Sequence, residues 1–207
     1  MVFKFGWVDK YLKQLPTVIF DVGSGPGKEC CEFKKRYPGA DVFAFEPCRE
    51  KPIYQKFEGN CKCFGVKRFT CTISNYNGET LWYQSFKRNK QSSSIFPPTE
   101  LMTTRHPTMR FRNPYKTQVR NLKSIFDEYN INHVDILHMD VHGAEPLVME
   151  GLGDIIKPKM VFAEVIAFDT YDGPIKSERG FNNFMENLGY KLEQRVPGNN
   201  LYIFEEV

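Results

Sequence analysis

The sequence predicts an α/β fold: a mostly parallel, doubly wound sheet with an antiparallel strand at its C-terminal end. Three observations carry this expectation. Apolar, β-rich runs alternate with longer amphipathic stretches, the pattern of a parallel sheet covered by helices. The first run ends in three alternate glycines that lead into a helical stretch. The last two runs flank Pro197-Gly198-Asn199-Asn200, a turn that returns the chain antiparallel.

Residues 17–22 (TVIFDV) read as the first strand and 27–37 (GKECCEFKKRY) as the first helix. Residues 41–46 (DVFAFE) re-enter the sheet, 50–57 are helical, and 66–73 (VKRFTCTI) form a third strand. Asn77-Gly78 followed by 79–84 (ETLWYQ) is a hairpin signal. Pro97, Pro98, Pro107 and Pro114 argue against regular structure in the next segment. A helix resumes over 119–130, with 134–140 (VDILHMD) as strand four and a helix over 144–152. Residues 159–165 (KMVFAEV) are strand five, 176–188 a helix stopped by Gly189, and 190–194 with 201–204 the closing pair.

At 207 residues the chain fits a single domain, one that buries about 70% of the surface its unfolded form exposes. With 41% hydrophobic and 26% charged residues and a mean hydropathy of −0.46, it is neither a disordered nor a membrane-spanning composition. The N-terminus mixes charges with aromatics and lacks a signal-peptide core, so a cytoplasmic location and no membrane span are expected. Six cysteines form no CxxC pair and have no histidine at ligand spacing, so reduced, mostly buried thiols are expected. Charge is unevenly placed. Residues 87–123 hold nine Lys/Arg against Glu100 alone, a net of +8, and with +3 overall the rest of the chain carries −5. Such a segment implies an anionic group on a partner or substrate.

VIFDVGSGPG is the most specific stretch. Glycines permit a tight turn and let a ligand lie against the main chain above the strand ends. Neither GxGxxG nor GxxxxGK[ST] can be laid over it, because the sixth place is Lys28 or Cys30 and no phosphate-loop frame fits. The DxGxGxG arrangement suits S-adenosylmethionine, which brings no pyrophosphate to a helix N-terminus. Glu46 falls 19 residues after Gly27 at the end of strand two, where a carboxylate can accept from both ribose hydroxyls.

From here the sequence resembles the FkbM-type methyltransferases. VIFDVGSGPG, FAFEP (43–47), the serines of QSSSIF (91–96), VDILHMDVHGAE (134–145) and FAEV (162–165) carry the likeness, which runs over residues 17–204. Asp140, Gly143, Ala144 and Glu145 match the family's strand-four run. His138 stands where the family usually has lysine, and His142 where it usually has glutamate. The resemblance implies a Rossmann-like, class I S-adenosylmethionine-dependent O-methyltransferase. It also implies an acceptor hydroxyl on a sugar, glycan or secondary metabolite, including a viral or microbial glycan, and the cations of the basic segment suit an anionic acceptor such as a nucleotide-linked sugar or an acidic glycan. The expected cofactor residues are Asp21, Gly23, Ser24, Gly25, Gly27, Glu46, Pro47, Ile73 and Asp140. Residues 87–118 are expected as a basic loop over the active site, with Arg88, Ser93, Ser94 and Glu145 as acceptor contacts.

Methyl transfer is an in-line displacement, so the acceptor oxygen must be held about 3 Å from the methyl carbon. A sugar hydroxyl is nearly as weak an acid as water, with a pKa of about 15.7, so a base adds roughly 10²–10⁴-fold. Asp140, His142 and Glu164, at the ends of strands four and five, are the expected catalytic groups, with Glu145 nearby. Histidine as a residue type titrates near neutrality. Glu145 in a first helical turn is equally explained by the helix dipole. HxDxH also resembles a metal signature. At about 3.3 Å per residue, though, His138 and His142 would lie about 13 Å apart and could not share an ion. Asp140 with His142 and Glu164 could, yet no metal is expected. Phe86, Phe96, Phe111 and Tyr115 among the cations admit an RNA-methyltransferase alternative, and Asn113-Pro114-Tyr115 is too short for the NPPY run of amino-methylating enzymes. A non-catalytic anion- or partner-binding protein on the same fold is the third reading.

Overall fold

The computed structural model describes residues 3–86, 92–153, 156–165 and 168–205. In chain order the elements are α1 (Gly6–Tyr11), β1 (Val18–Val22), α2 (Lys28–Arg36), β2 (Asp41–Phe45), α3 (Lys51–Phe64) and β3 (Lys67–Phe69). Next come β4 (Thr72–Ile73), β5 (Gly78–Trp82), β6 (Ser85–Phe86), α4 (Glu100–Arg105), β7 (Arg110–Phe111), β8 (Tyr115–Arg120) and α5 (Leu122–Tyr129). The last third runs β9 (Ile136–Met139), α6 (Glu145–Glu150), β10 (Met160–Glu164), α7 (Glu178–Asn187), β11 (Tyr190–Val196) and β12 (Asn199–Phe204).

The main sheet has the order β11-β12-β10-β9-β1-β2-β3. Its centre is parallel, and β12 is antiparallel to both neighbours, as expected from the closing pair. Alternation with period two sends neighbouring side chains to opposite faces. Phe20, Phe43, Phe45, Leu137, Met139, Val161 and Ala163 pack with Leu122, Ile125 and Phe126 of α5, Val148 of α6 and Phe181 of α7. Their neighbours Ile19, Val42, Ala44, Ile136, Met160 and Phe162 pack with Trp7 of α1, Phe33 of α2 and Phe57 of α3. A sheet apolar on both faces must be covered on both, and the order brings the carboxyl ends of β1, β2, β9 and β10 together.

Several expected elements change. The strand at 66–73 is two strands in two sheets: β3 edges the main sheet, while β4 joins a smaller sheet of order β4-β8-β5. The hairpin at Asn77-Gly78 does not form, because β8 lies between β4 and β5 and pairs with both. Residues 119–120 therefore end a strand, and the α5 helix is capped by Asn121, whose side chain accepts from Ser124 N–H. The basic segment holds regular structure after all, in α4 and β7. Helix α3 extends to Phe64, stopped by Gly65 in a left-handed conformation. The cysteines are free, and Cys63 is the exposed one. No helix among the described residues is long and apolar enough to cross a membrane.

Candidate active site

A cavity of about 380 Å³ opens above the joined strand ends, within the size range of small-molecule sites. Gly23, Ser24 and Gly25 line it from the first loop, Glu46 and Pro47 from the end of β2, and Asp140, His142 and Glu164 from the ends of β9 and β10. Ile73, Ser93, and the unanticipated Trp82, Cys48, Ile53, Glu29 and His138 complete its wall. Asp21, Gly27, Ser94 and Glu145 do not line it, and Arg88 lies outside the described residues.

The glycine loop is set by its neighbours. Gly23 and Ser24 N–H both donate to the Phe45 carbonyl, tying the loop to β2. Gly23 has φ +85°, and a Cβ there would sit 2.0 Å from the Asp140 carbonyl oxygen. Its missing side chain makes room for the end of β9 while its backbone lines the cavity. Gly27 is left-handed at the start of α2, where a Cβ would press on Phe57 at 3.2 Å. Gly25 N–H donates to Glu46 Oε2 at 2.8 Å, and Cys48 N–H to Glu46 Oε1 at 2.8 Å. Burial prevails over these two donors and pushes the Glu46 carboxyl up to about 7. Each oxygen keeps a lone pair for a hydroxyl donor.

Asp21, expected at the cofactor, is fully buried and meets the cavity only through His138. His138 Nδ1 lies 2.7 Å from Asp21 Oδ1, and its ring stacks on Phe162 at 5.6 Å. Burial by itself lowers the His138 pKa, but the Asp21 carboxylate outweighs it and raises the pKa. The cavity lining carries four carboxylates, Glu29, Glu46, Asp140 and Glu164, against Lys28 and the two histidines. A lining that combines these carboxylates with Ile53, Ile73 and Trp82 suits a ligand with a cationic centre joined to an aromatic base, as S-adenosylmethionine is.

Three groups converge at the mouth. His142 Nδ1 is 3.4 Å from Asp140 Oδ1, and its Nε2 is 3.7 Å from Glu164 Oε2. Neither carboxylate oxygen makes a hydrogen bond of good geometry. Burial first, then the adjacent Asp140 carboxylate, raise Glu164 well above the usual carboxylate range. Donor atoms of the three lie within 4.8 Å of one another, close enough to hold a divalent cation.

His142 has φ +52°, a left-handed conformation that costs a non-glycine residue about 1 kcal/mol or more. The turn around it is tightly held. Glu145, 1% exposed, accepts from Val141 N–H at 3.0 Å through Oε1 and from Gly143 N–H at 2.8 Å through Oε2. Burial, then the Glu164 charge, push Glu145 up to about 8 against those donors. The structure thus places this expected acceptor contact beneath the turn. Ser94 Oγ donates to the His142 carbonyl at 2.9 Å. Tyr171 packs its ring edge-on to His142 at 5.8 Å and donates its hydroxyl to the Ser92 carbonyl. Ser93 faces the cavity but its Oγ is already engaged with Gln84 and Ser85.

The basic segment is largely neutralised from outside itself. Arg105 pairs with Asp169, Arg112 with Glu50, Lys116 with Glu79, Arg120 with Glu128 and Lys123 with Asp127. Arg110 is turned onto the Pro107 and Met109 carbonyls. Lys87, Arg88 and Lys90, the other cations of the segment, lie outside the described residues.

Comparison with known proteins adds to this geometry. The methyltransferase FkbM domain model matches residues 21–192. The 2-O-methyltransferase NoeI of Sinorhizobium fredii is 26% identical over 179 residues, covering 79% of this chain and 69% of its own length. Methyltransferase 1 of Beauveria bassiana is 26% identical over 156 residues, covering 67% of this chain. This chain spans only 59% of that relative. Among solved structures, a caffeoyl-CoA O-methyltransferase candidate from Staphylococcus aureus superposes with a TM-score of 0.52 at 12% identity, over 99% of this chain and 85% of that one. The fibrillarin pre-rRNA processing protein of Methanococcus jannaschii also gives 0.52 at 12% identity, over 93% of this chain and 68% of its own. At such identities these two speak for the fold alone.

Proposed function

Because the chain belongs to the FkbM methyltransferase family and uses S-adenosylmethionine, we propose that it methylates a hydroxyl oxygen of a sugar or glycan. The observation that carries this reading is the convergence of Asp140, His142 and Glu164 at the mouth of the cofactor cavity. An unactivated hydroxyl needs a proton acceptor beside it as the oxygen attacks, and an imidazole between two carboxylates is suited to that task. The 2-O-methyltransferase among the relatives supports an oxygen acceptor.

When bound, S-adenosylmethionine supplies an electrophilic methyl group on a positively charged sulfur. The chain supplies the rest. Gly25 and the Glu46 carboxylate form the wall that receives the nucleoside, with Pro47 and Ile73 beside them. The lining carboxylates favour the cationic form over the neutral product left after transfer. As the acceptor oxygen gains the methyl group, its proton passes to a ring nitrogen of His142. Asp140 and Glu164 balance the imidazolium that results. In this reading the segment that carries Ser94 borders the mouth, supported by the Ser94 hydrogen bond to His142.

A labelled-methyl transfer assay over a panel of saccharides and RNA tests it. Saccharide methylation that falls by roughly 10²–10⁴-fold in both Asp140→Asn and His142→Ala is expected. Full activity in both variants removes these residues from the chemistry, and incorporation into RNA alone selects the RNA reading. One observation favours a second mechanism. The three donors within 4.8 Å of one another also fit a divalent cation, and activity lost to a chelator and restored by magnesium would select metal-assisted deprotonation.

A further inference from the structure

We propose that Glu145 and Ser94 are positioning residues that lock the 141–143 turn and so set where the His142 imidazole stands. The proposal rests on the reading of His142 as the proton acceptor.

The turn needs a lock. A histidine at φ +52° sits in a backbone region that other conformers would relieve, and such strain persists only where surrounding structure over-determines it. Here it is fixed from both sides. Below, one buried carboxylate takes the N–H groups of Val141 and Gly143, the two residues that flank His142. Each group satisfied this way would otherwise be a backbone donor without a partner, a state that buried segments avoid. On the other side, Ser94 Oγ donates to the carbonyl of the strained residue itself. The same Oγ accepts from Phe96 N–H at 3.1 Å, so the serine cannot rotate away without losing a second bond.

The lock stands behind the cavity wall. Neither Glu145 nor Ser94 lines the cavity, and Ser94 is fully buried. Contact with acceptor or cofactor therefore does not explain them, and the dipole of the short α6 helix explains Glu145 only in part, because its oxygens point back to the turn. What they share is His142. Glu145 and Ser94 come from segments 51 residues apart and hold three consecutive residues of one turn between them. Gly173 completes the enclosure: a Cβ there would lie 2.6 Å from the Gly143 carbonyl oxygen.

Glu145→Gln and Ser94→Ala test this. Gln presents an NH₂ where an oxygen now accepts, so one of the two N–H groups loses its partner; Ser94→Ala removes a single donor and keeps the packing. In both, kcat is expected to fall about 10- to 100-fold, the loss typical of a reacting group moved by about 1 Å. The KM for the acceptor and the affinity for S-adenosylhomocysteine should stay within about twofold. Amide hydrogen exchange at Val141 and Gly143 should quicken in Glu145→Gln, a readout independent of activity. Wild-type kcat with wild-type exchange overturns the lock while His142→Ala still reports on the base. Loss of S-adenosylhomocysteine binding in parallel with kcat also overturns it, since the residues would then serve the cofactor site. Quickened exchange, with His142→Ala fully active, leaves the lock standing and rejects His142 as the base.

Discussion

Glu46 has two duties at once: it ties Gly25 and Cys48 together through backbone N–H groups and lines the cavity. Glu46→Gln keeps the shape but turns one acceptor oxygen into a donor facing an N–H group. Hydrogen bonds to a charged group are each worth about 1.5–3 kcal/mol, so the Kd for S-adenosylhomocysteine should rise about 10- to 100-fold by calorimetry. An unchanged Kd would take Glu46 out of the cofactor site. At this scale Asp140 and Glu164 were legible in sequence because each ends an apolar strand, where a carboxylate has no packing use. The roles of Glu145 and Ser94 were not, because each is defined by a hydrogen bond to a turn whose geometry no local pattern encodes. His138 was readable only as a strand side chain. Its pairing with Asp21 appears once β1 and β9 are set side by side, with Asp21 opposite His138 in the register.

Among the elements, the central strands were legible because β1, β2, β9 and β10 are short, nearly continuous apolar runs, as strands buried on both faces must be. The short strands of the second sheet were not. β4 is two residues long and its partner β8 lies more than forty residues away, so pairing is decided by tertiary register and not by propensity. The Asn77-Gly78 signal correctly marked a reversal but named the wrong partner strand. The loop between β1 and α2 gives the sharpest expectation at this scale. Gly23→Ala must place a methyl 2.0 Å from the Asp140 carbonyl oxygen at φ +85°. It should destabilise the protein by at least about 2 kcal/mol and push the end of β9 outward. A chemical-denaturation midpoint equal to that of the parent protein would show that the loop and β9 are not in this contact.

For the molecule as a whole, the buried acids set the direction of its pH dependence. Glu46 and Glu145 titrate at about 7 and about 8 in the fold, against about 4.3 in an unfolded chain, and His138 is raised as well. Each binds its proton more tightly when folded, so its contribution is complete below the unfolded pKa and is lost as pH rises through the folded one. Asp135, held below the usual range by Lys159 and backbone donors despite burial, works in the opposite sense but under pH 4, outside this window. The Tm of the ligand-free protein should therefore be lower at pH 8.5 than at pH 5.5, by about 2–4 °C for each kcal/mol lost; a rise would contradict the assigned directions. The ion pairs that anchor the basic segment reach Glu50, Glu79, Glu128 and Asp169 in four different parts of the chain. Together with the Ser94 bond to His142, they tie the described part of this segment, residues 92–123, to the wall that carries His142. Exchanging it for the matching segment of a relative, in order to change the acceptor, would thus also shift His142, the proton acceptor in the proposed mechanism. New acceptors would have to be sought through changes on both sides of the 141–143 turn together.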